Sequence, residues 1–466
     1  MSVKTSNENV LDDQPVKHDQ PERPGLGQII IYAIGQLGWS LASFFVVVVS
    51  PYFYMPPEDG SGQTFPVFIF QGSILGLFTI VGLVTSGGRI FDAITDPIIA
   101  SWSDRTNWKG GKRKFGMLIG ILPFSLFAIL AFFPISAENT SLNTAWFVFT
   151  VLLFFLSFTI YVVPYTALIG ELGHHPKDRL KISTAISVTW ALGYVLGGSI
   201  YAIQGGLEGN MGPTAAFQTG VVVLVLFAAL CMLVPILFLN EPKYCIQTRT
   251  EVSLMDSIRE VVKNRNFMIF TFSDLMYWLS ISVIQSGMIY NVTLLLGMEK
   301  DLASLFTLVS FVLSFLCYIP ILILVPKFGK KKVVIFGFFM FLLTFALGAS
   351  LGLLPIPLMV QFGILTVLSA VALAIFGILP NAIIADVVNQ HEQEHGENLS
   401  GMYFAFRNFM MKIGMSLGLL IFTSLLVLGK SAENPTGVRL ANVAALVFCL
   451  IGFILFRYFK PAPETE

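Results

Sequence analysis

Apolar runs of about 20 residues alternate with short polar connections along almost the whole chain. Twelve can be marked, at 27–51, 73–102, 115–136, 145–169, 182–204, 215–239, 267–296, 302–325, 333–354, 358–388, 401–428 and 439–458. A helix of that length crosses the roughly 30 Å hydrocarbon core of a bilayer. The pattern therefore predicts an all-α membrane protein with about 12 transmembrane helices. The runs at 73–102 and 358–388 are longer than needed and imply tilt or extension beyond the lipid. Residues 1–26 are polar, acidic and proline-containing, without a basic-then-apolar leader, and read as a disordered tail; 459–466 form a second tail.

The connections differ in charge. Those at 103–114, 170–181, 240–266 and 326–332 hold most of the basic residues, among them Arg105, Lys112, Arg113, Lys177, Arg249, Lys263, Lys330 and Lys331. The intervening connections hold almost none. The positive-inside rule then makes both termini cytoplasmic, which fits an even number of spans. The longest internal polar connection, 240–266, follows the sixth run and reads as a cytoplasmic linker between an N-terminal half, 27–239, and a C-terminal half, 267–458. Ser253 to Val262 is expected to form an amphipathic surface helix, with Leu254, Ile258 and Val261 or Val262 toward lipid.

The halves echo each other. Gly111-Lys112-Arg113-Lys114 follows the second run and Gly329-Lys330-Lys331-Lys332 the eighth. Ala167-Leu168-Ile169-Gly170-Glu171 ends the fourth run and Ala382-Ile383-Ile384-Ala385-Asp386 the tenth. The two spacings agree within about three residues, as a parallel repeat of six helices requires. This is the pattern of a major facilitator fold, with its site between the halves near the midplane.

Composition narrows the function. The chain is 55% hydrophobic and 12% charged, with mean hydropathy +0.77 and zero net charge. Soluble domains carry about 25% charge. No basic surface for nucleic acid is present. The four cysteines, Cys231, Cys245, Cys317 and Cys449, form no C-x-x-C pair, so neither a disulfide framework nor a metal cluster is expected. His391-Glu392-Gln393-Glu394-His395 matches the H-E-x-x-H zinc-protease pattern. It falls in a polar connection without a third ligand, so zinc at His391 and His395 is rejected. With no nucleophile–base set and no phosphate loop, an enzyme is not expected and no cofactor is implied.

The strongest chemistry lies in the second run, Arg89-Ile90-Phe91-Asp92-Ala93-Ile94-Thr95-Asp96-Pro97. Arg89, Asp92 and Asp96 share one helix face. Charges inside a bilayer are costly and persist where they are paired or face a wet interior. Two ionised carboxylates one turn apart repel, and a monovalent cation or a proton relieves them. Either event couples site occupancy to charge. Thr95 and Thr159 can add neutral oxygens, and Arg89 can act as counter-ion when the site is empty. The alternative is a salt bridge that pins two helices. Lys412 lies deep in the eleventh run and needs an anionic partner, with Asp92 or Asp96 across the half-to-half interface as candidates. Asp274 in the seventh run is a further buried acid. Trp39, Ser40, Tyr161, Tyr165, Trp190 and Tyr277 are candidate cavity residues. Glu171, Asp386, Arg105 and Arg407 are candidates for a cytoplasmic gate that breaks when the halves rock.

The Arg89-x-x-Asp92-Ala93-x-x-Asp96-Pro97 motif, with Asp104-Arg105 and Gly111-Lys112-Arg113, resembles the glycoside–pentoside–hexuronide:cation symporters, the melibiose permease group. Pro164-Tyr165-x-Ala167-Leu168-x-x-Glu171-Leu172, Ala385-Asp386-Val387-Val388 and Lys412 are similar to further motifs of that family. The resemblance implies a cation site for Na+ or H+ at Asp92, Asp96 and Thr159, and symport of a sugar or glycoside by alternating access. The chain departs where the permease holds its galactoside: Ser40, Val162, Thr166 and Ser187 stand at those positions. The helix-two motif and Lys412 also resemble sodium-dependent lysolipid transporters, so an amphipathic solute is the alternative substrate. A non-transporting sensor or scaffold is the alternative of another class. The expected context is a bilayer, the plasma or bacterial inner membrane, with the protein acting as a monomer.

Overall fold

A computed structural model describes residues 22–461 apart from 60–61, 75, 77, 107, 174–175, 246–253 and 396–399. Twelve long helices fill the described residues. In the first set, α1 is Leu26–Tyr54, α2 Ile80–Arg105, α3 Lys112–Leu130, α4 Ser141–Leu172, α5 Pro176–Gly198 and α6 Pro213–Phe238. In the second, α7 is Arg265–Tyr290, α8 Asp301–Phe328, α9 Lys330–Ser350, α10 Leu358–His395, α11 Ser400–Leu426 and α12 Thr436–Arg457. Eleven helices are long and apolar enough to cross a membrane. The twelfth, α2, is long enough but carries Arg89, Asp92 and Asp96 within one apolar stretch.

The expected boundaries shift for local reasons. The second helix begins at Ile80, because Thr79 turns extended and its hydroxyl caps Gly82 N at 3.2 Å. Among the described residues before it, Gly76 has φ of +71° and Ile74 and Phe78 exchange backbone hydrogen bonds. The fifth run bends at Ser199, after the Gly197-Gly198 pair, and resumes as Ile200–Met211. The tenth helix runs on to His395, so the H-E-x-x-H stretch is helical rather than a loop. The linker helix spans Leu254–Lys263. Of the two valines offered for its lipid side, Val262 is exposed and Val261 is buried; the side chains of Leu254 and Ile258 lie outside the described residues.

Packing repeats between the halves. Helix α1 packs on α5 and α6, and α7 packs on α11 and α12; the pairs α3–α4, α2–α4 and α3–α6 recur as α9–α10, α8–α10 and α9–α12. Two seams join the halves, α2 against α11 and α5 against α8. Exchanging the halves converts one seam into the other, which is what a parallel pseudo-twofold demands. The first and last described residues lie beside the linker: Glu22 pairs with Lys243, and Asn266 bonds to the carbonyl of Lys460.

Polar contacts across the interface are one-sided. At the end away from the basic connections, Lys430 bonds Glu58 at 2.8 Å and the Pro56 carbonyl at 2.9 Å, and Tyr290 donates to the Met55 carbonyl at 2.7 Å. Glu58 and residues 430–432 exchange backbone hydrogen bonds, Lys300 pairs with Glu208, and Ser304 donates to the Gly198 carbonyl. These contacts hold the halves together at this end. Past Lys412, toward the basic end, no hydrogen bond or ion pair joins α1–α6 to α7–α12 among the described residues.

Candidate functional site

Close approach of α2 and α4 sets up the site. Gly88 lacks a side chain because the Phe155 ring occupies its place; a Cβ there would lie 2.3 Å from Phe155 Cδ2. One turn on, Asp92 is fully buried and accepts a hydrogen bond from Thr159 Oγ1 at 2.5 Å on Oδ1. Thr95 Oγ1 is 3.2 Å from Thr159 Oγ1 and donates back to the carbonyls of its own helix. Three oxygens from two helices thus converge in an apolar bundle. On the seam side, Ser86 Oγ donates to the Ser416 carbonyl at 2.7 Å, fixing α11 against α2.

Lys412 then enters from α11. Its Nζ lies 2.8 Å from Asp92 Oδ2 and 2.6 Å from Asp96 Oδ2. One ammonium spans two carboxylates, and this ion-paired triad has a formal charge of −1. Asp96 is partly open, while its Oδ1 is buried with no hydrogen-bond partner among the described residues. An orphaned carboxylate oxygen in a low-dielectric interior is costly and calls for a cation or a proton.

Arg89 differs from the expectation. It makes no ion pair with Asp92 or Asp96; its guanidinium sits over the rings of Phe155 and Phe158, 5.6 and 5.9 Å from their centroids. A weakly hydrated planar cation is suited to that aromatic sleeve. The counter-ion role therefore falls to Lys412, from the opposite half. Trp39 stands edge-on to Phe158 at 5.6 Å, and its buried indole N–H has no acceptor among the described residues.

Most of the expected cavity residues prove to be packing. Ser40 Oγ bonds within α1 and sits against Gly193 of α5. Tyr161 donates to the Met232 carbonyl at 2.9 Å. Tyr165 and Tyr32 stack at 4.4 Å, each hydroxyl donating to the other's carbonyl at 2.7 Å. Tyr277 lies flat on Phe376 at 4.2 Å. Trp190, on the seam-facing side of α5, contacts Tyr194 at 4.4 Å and Phe311 of α8 at 6.5 Å. Of the six, Trp190 alone approaches the interface cavity described below. Two aromatic residues one turn apart look the same in sequence whether they clamp helices or line a cavity.

The expected gate residues also pair differently. Glu171 binds Arg113 at 2.6 Å and Lys112 at 3.6 Å, and Arg113 reaches Asp104 and Ser103 as well. Asp386 pairs with Lys330 at 2.5 Å. Arg407 grips Asp274 at 2.8 and 3.3 Å and Asn381 at 3.0 Å, and Trp278 adds a bond to Asp274. Each network stays inside one half, and Arg105 is exposed without an ion pair among the described residues. The gate is thus not a bridge between halves here. The first two networks are the repeated pair that the Gly111 and Gly329 turns foreshadow. Glu241, at the start of the linker, was not singled out in the sequence. It accepts from the backbone N–H groups of Arg113 and Lys114, both at 3.0 Å, at the N-terminus of α3. Gly111, with φ of +115°, makes room for its carboxylate, whose pKa burial pushes up from the ordinary value.

A second opening lies on the α5–α8 seam. It is a cavity of about 50 Å³ lined by Phe44, Tyr194, Gln285, Met288, Thr307 and Ser310 among others. His391 of the H-E-x-x-H stretch is buried beside Tyr403, 5.6 Å between rings, and no group of three metal-binding side chains is found among the described residues.

Residues 31–458 match the family described as MFS/sugar transport protein. The inner membrane symporter YicJ of Escherichia coli is 24% identical over 416 residues, covering 84% of this chain and 86% of its own. The human sodium-dependent lysophosphatidylcholine symporter 1 is 24% identical over 448 residues, covering 86% and 79%. The crystal structure of a D-xylose-proton symporter superposes with a TM-score of 0.68 at 14% identity, covering 94% of this chain and 98% of that one, and so shares the fold. Twelve helices in two repeated halves, a charged cluster on one seam and a match over nearly the whole length agree: the chain is a multi-pass membrane transporter, not an enzyme, and belongs to the MFS/sugar transport protein family.

Proposed function

We propose that the chain couples the movement of a monovalent cation to that of a sugar or glycoside, by alternating access between its two halves. The observation that carries this reading is Lys412, whose ammonium stands between Asp92 and Asp96 in a buried cluster of net charge −1. Lys412 belongs to one half and the acids to the other. Its ion pairs therefore tie occupancy of the site to the relation between the halves. In this reading Na+ or H+ enters at Asp92, Thr159, Thr95 and the orphaned Asp96 oxygen and displaces the ammonium. Hard cations prefer such oxygen ligands. The released Lys412 then lets α2 and α11 move apart or together as solute binds.

If the basic connections are cytoplasmic, as the positive-inside rule has it, this conformation is closed outside and unlatched inside. The segments 27–239 and 267–458 would then rock as halves about the two seams, with 240–266 as the tether. Relatives named as an isoprimeverose transporter and a putative glycoside/cation symporter support the sugar reading. A second reading, an amphipathic lysolipid, is supported by the human relative and by the absence of the permease's sugar-holding charges at Ser40 and Val162. A scaffold without transport has no use for three charges inside the membrane-spanning helices that cost folding energy. The experiment is uptake into proteoliposomes, with sugars and lysolipids tested under a Na+ gradient, a H+ gradient or neither. Accumulation driven by one cation is expected. Equal uptake with and without both gradients overturns the coupling.

A further inference from the structure

The pseudo-twofold produces two equivalent seams, yet their contents differ. The α2–α11 seam holds the charged triad. The α5–α8 seam holds a cavity with no charged side chain among its described lining residues. Two polar groups there stand out. Ser310 of α8 is 1% exposed, and its hydroxyl has no hydrogen-bond partner among the described residues. Gln285 of α7 is half-buried, and its amide makes no hydrogen bond to protein among the described residues. Buried polar groups in native proteins are nearly always paired, so an unpaired one aimed into a cavity asks for a ligand. On the facing half, Trp190 and Tyr194 form an aromatic corner, with Phe44 edge-on to Tyr194 at 5.2 Å.

We propose that Gln285 and Ser310, from the second half, bind an uncharged hydroxyl-bearing part of the transported solute against the Trp190–Tyr194 corner, at a specificity site on the α5–α8 seam. An amide and a hydroxyl each both donate and accept, which matches a sugar hydroxyl and offers nothing to a carboxylate or phosphate beyond a neutral bond. Aromatic faces cover the apolar side of such a ring. At about 50 Å³ the cavity admits a few waters but no whole solute. It is thus the closed outer end of the path, and the solute fills it when the seam widens. The ion and the solute then occupy opposite seams of one interface, and each is gripped by both halves. Polar recognition then comes from the second half instead of from the positions of Ser40 and Val162.

This inference rests on the transport reading, and its test separates the two. Full-length protein in proteoliposomes is given radiolabelled methyl β-D-xyloside, D-glucuronate and lysophosphatidylcholine, with Na+, with H+ or with neither. The wild type is expected to take up the neutral xyloside. Gln285→Ala and Ser310→Ala are each expected to raise its half-saturation by roughly tenfold, because a partner hydroxyl loses its bond. The cation concentration for half-maximal uptake should stay within about twofold, since Asp92 and Lys412 are untouched. The near-isosteric Gln285→Glu and Ser310→Cys carry the same expectation if the alanine variants insert poorly. Unchanged half-saturation in both variants overturns the site and leaves transport standing. Uptake of glucuronate or lysophosphatidylcholine alone, or of none of the probes, also overturns it. Raised half-saturation without any cation dependence upholds the site and removes the coupling.

Discussion

Asp92 and Asp96 lie one helical turn apart, yet their surroundings are unequal. Asp92 is sealed between Thr159 and Lys412, whereas the Asp96 side chain remains 33% exposed. In the proposed cation site, Asp92 would be the fixed ligand and Asp96 the one through which an ion enters. Asp92→Asn keeps the shape but removes the charge that the cation needs. Cation-driven uptake should fall by about a hundredfold or more, while exchange of solute across the membrane persists; wild-type driven uptake in this variant would end the proposed cation site. Lys412→Ala removes the competitor for both acids. Half-maximal uptake should then need less cation, and net uptake should slow because the empty carrier loses the charge that lets it return. Unchanged cation dependence would make Lys412 a packing residue. Both effects are local electrostatics, read as uptake against cation concentration.

At the level of helices, the site exists because α2 and α4 touch at Gly88. Gly88→Leu has no room beside Phe155, so the helices must separate and draw Asp92 away from Thr159. Overpacking of this kind costs about 1–3 kcal/mol. A lower unfolding temperature together with a higher cation requirement is expected, against a lower temperature alone if the contact serves packing only. The linker offers a second case. Glu241 accepts from two free N–H groups at the start of α3, where the helix dipole favours an anion. Glu241→Ala should cost about 0.5–2 kcal/mol by analogy with a lost N-cap. Thermal unfolding of the purified protein measures it, and Glu241→Gln should recover part of the loss.

For the whole molecule, the contacts that seal one end are separate from the charged site and have their own pH dependence. Glu58 lies in a connection outside the spans, and its bond from Lys430 holds its pKa below the ordinary value. A carboxylate of lowered pKa stabilises the closed form at pH above its ordinary value of about 4.3, and that stabilisation is lost as pH falls through the lowered pKa. The seal should thus hold at neutral pH and loosen only in acid. Met55 is buried beneath it. Met55→Cys, with Cys231, Cys245, Cys317 and Cys449 replaced by serine, should resist an impermeant thiol reagent at neutral pH and react faster after brief acid exposure. Adding Lys430→Met should make it react at neutral pH. Equal labelling in both backgrounds would show that the ion pair does not close that end.

The sequence by itself determined the membrane class, the number of helices, the repeat and the charged face of α2. Each is written in local terms: the length of an apolar run, the charge of a connection, a spacing of one helical turn. Boundaries such as Thr79 and Ser199 needed backbone geometry, yet even these follow from nearby residues. Only the tertiary structure decided which charges meet. Lys412, for which the sequence offered Asp92 or Asp96, pairs with both acids while Arg89 pairs with neither; Glu171 and Asp386 stay within their own halves, and the tyrosines of α4 clamp helices instead of lining a cavity. These outcomes depend on where helices distant in sequence cross, and a pattern of polar and apolar positions carries no information about the partner that faces it. Gln285 and Ser310 show the same limit: nothing marks them in the chain, and only the cavity between α5 and α8 shows them without protein partners among the described residues.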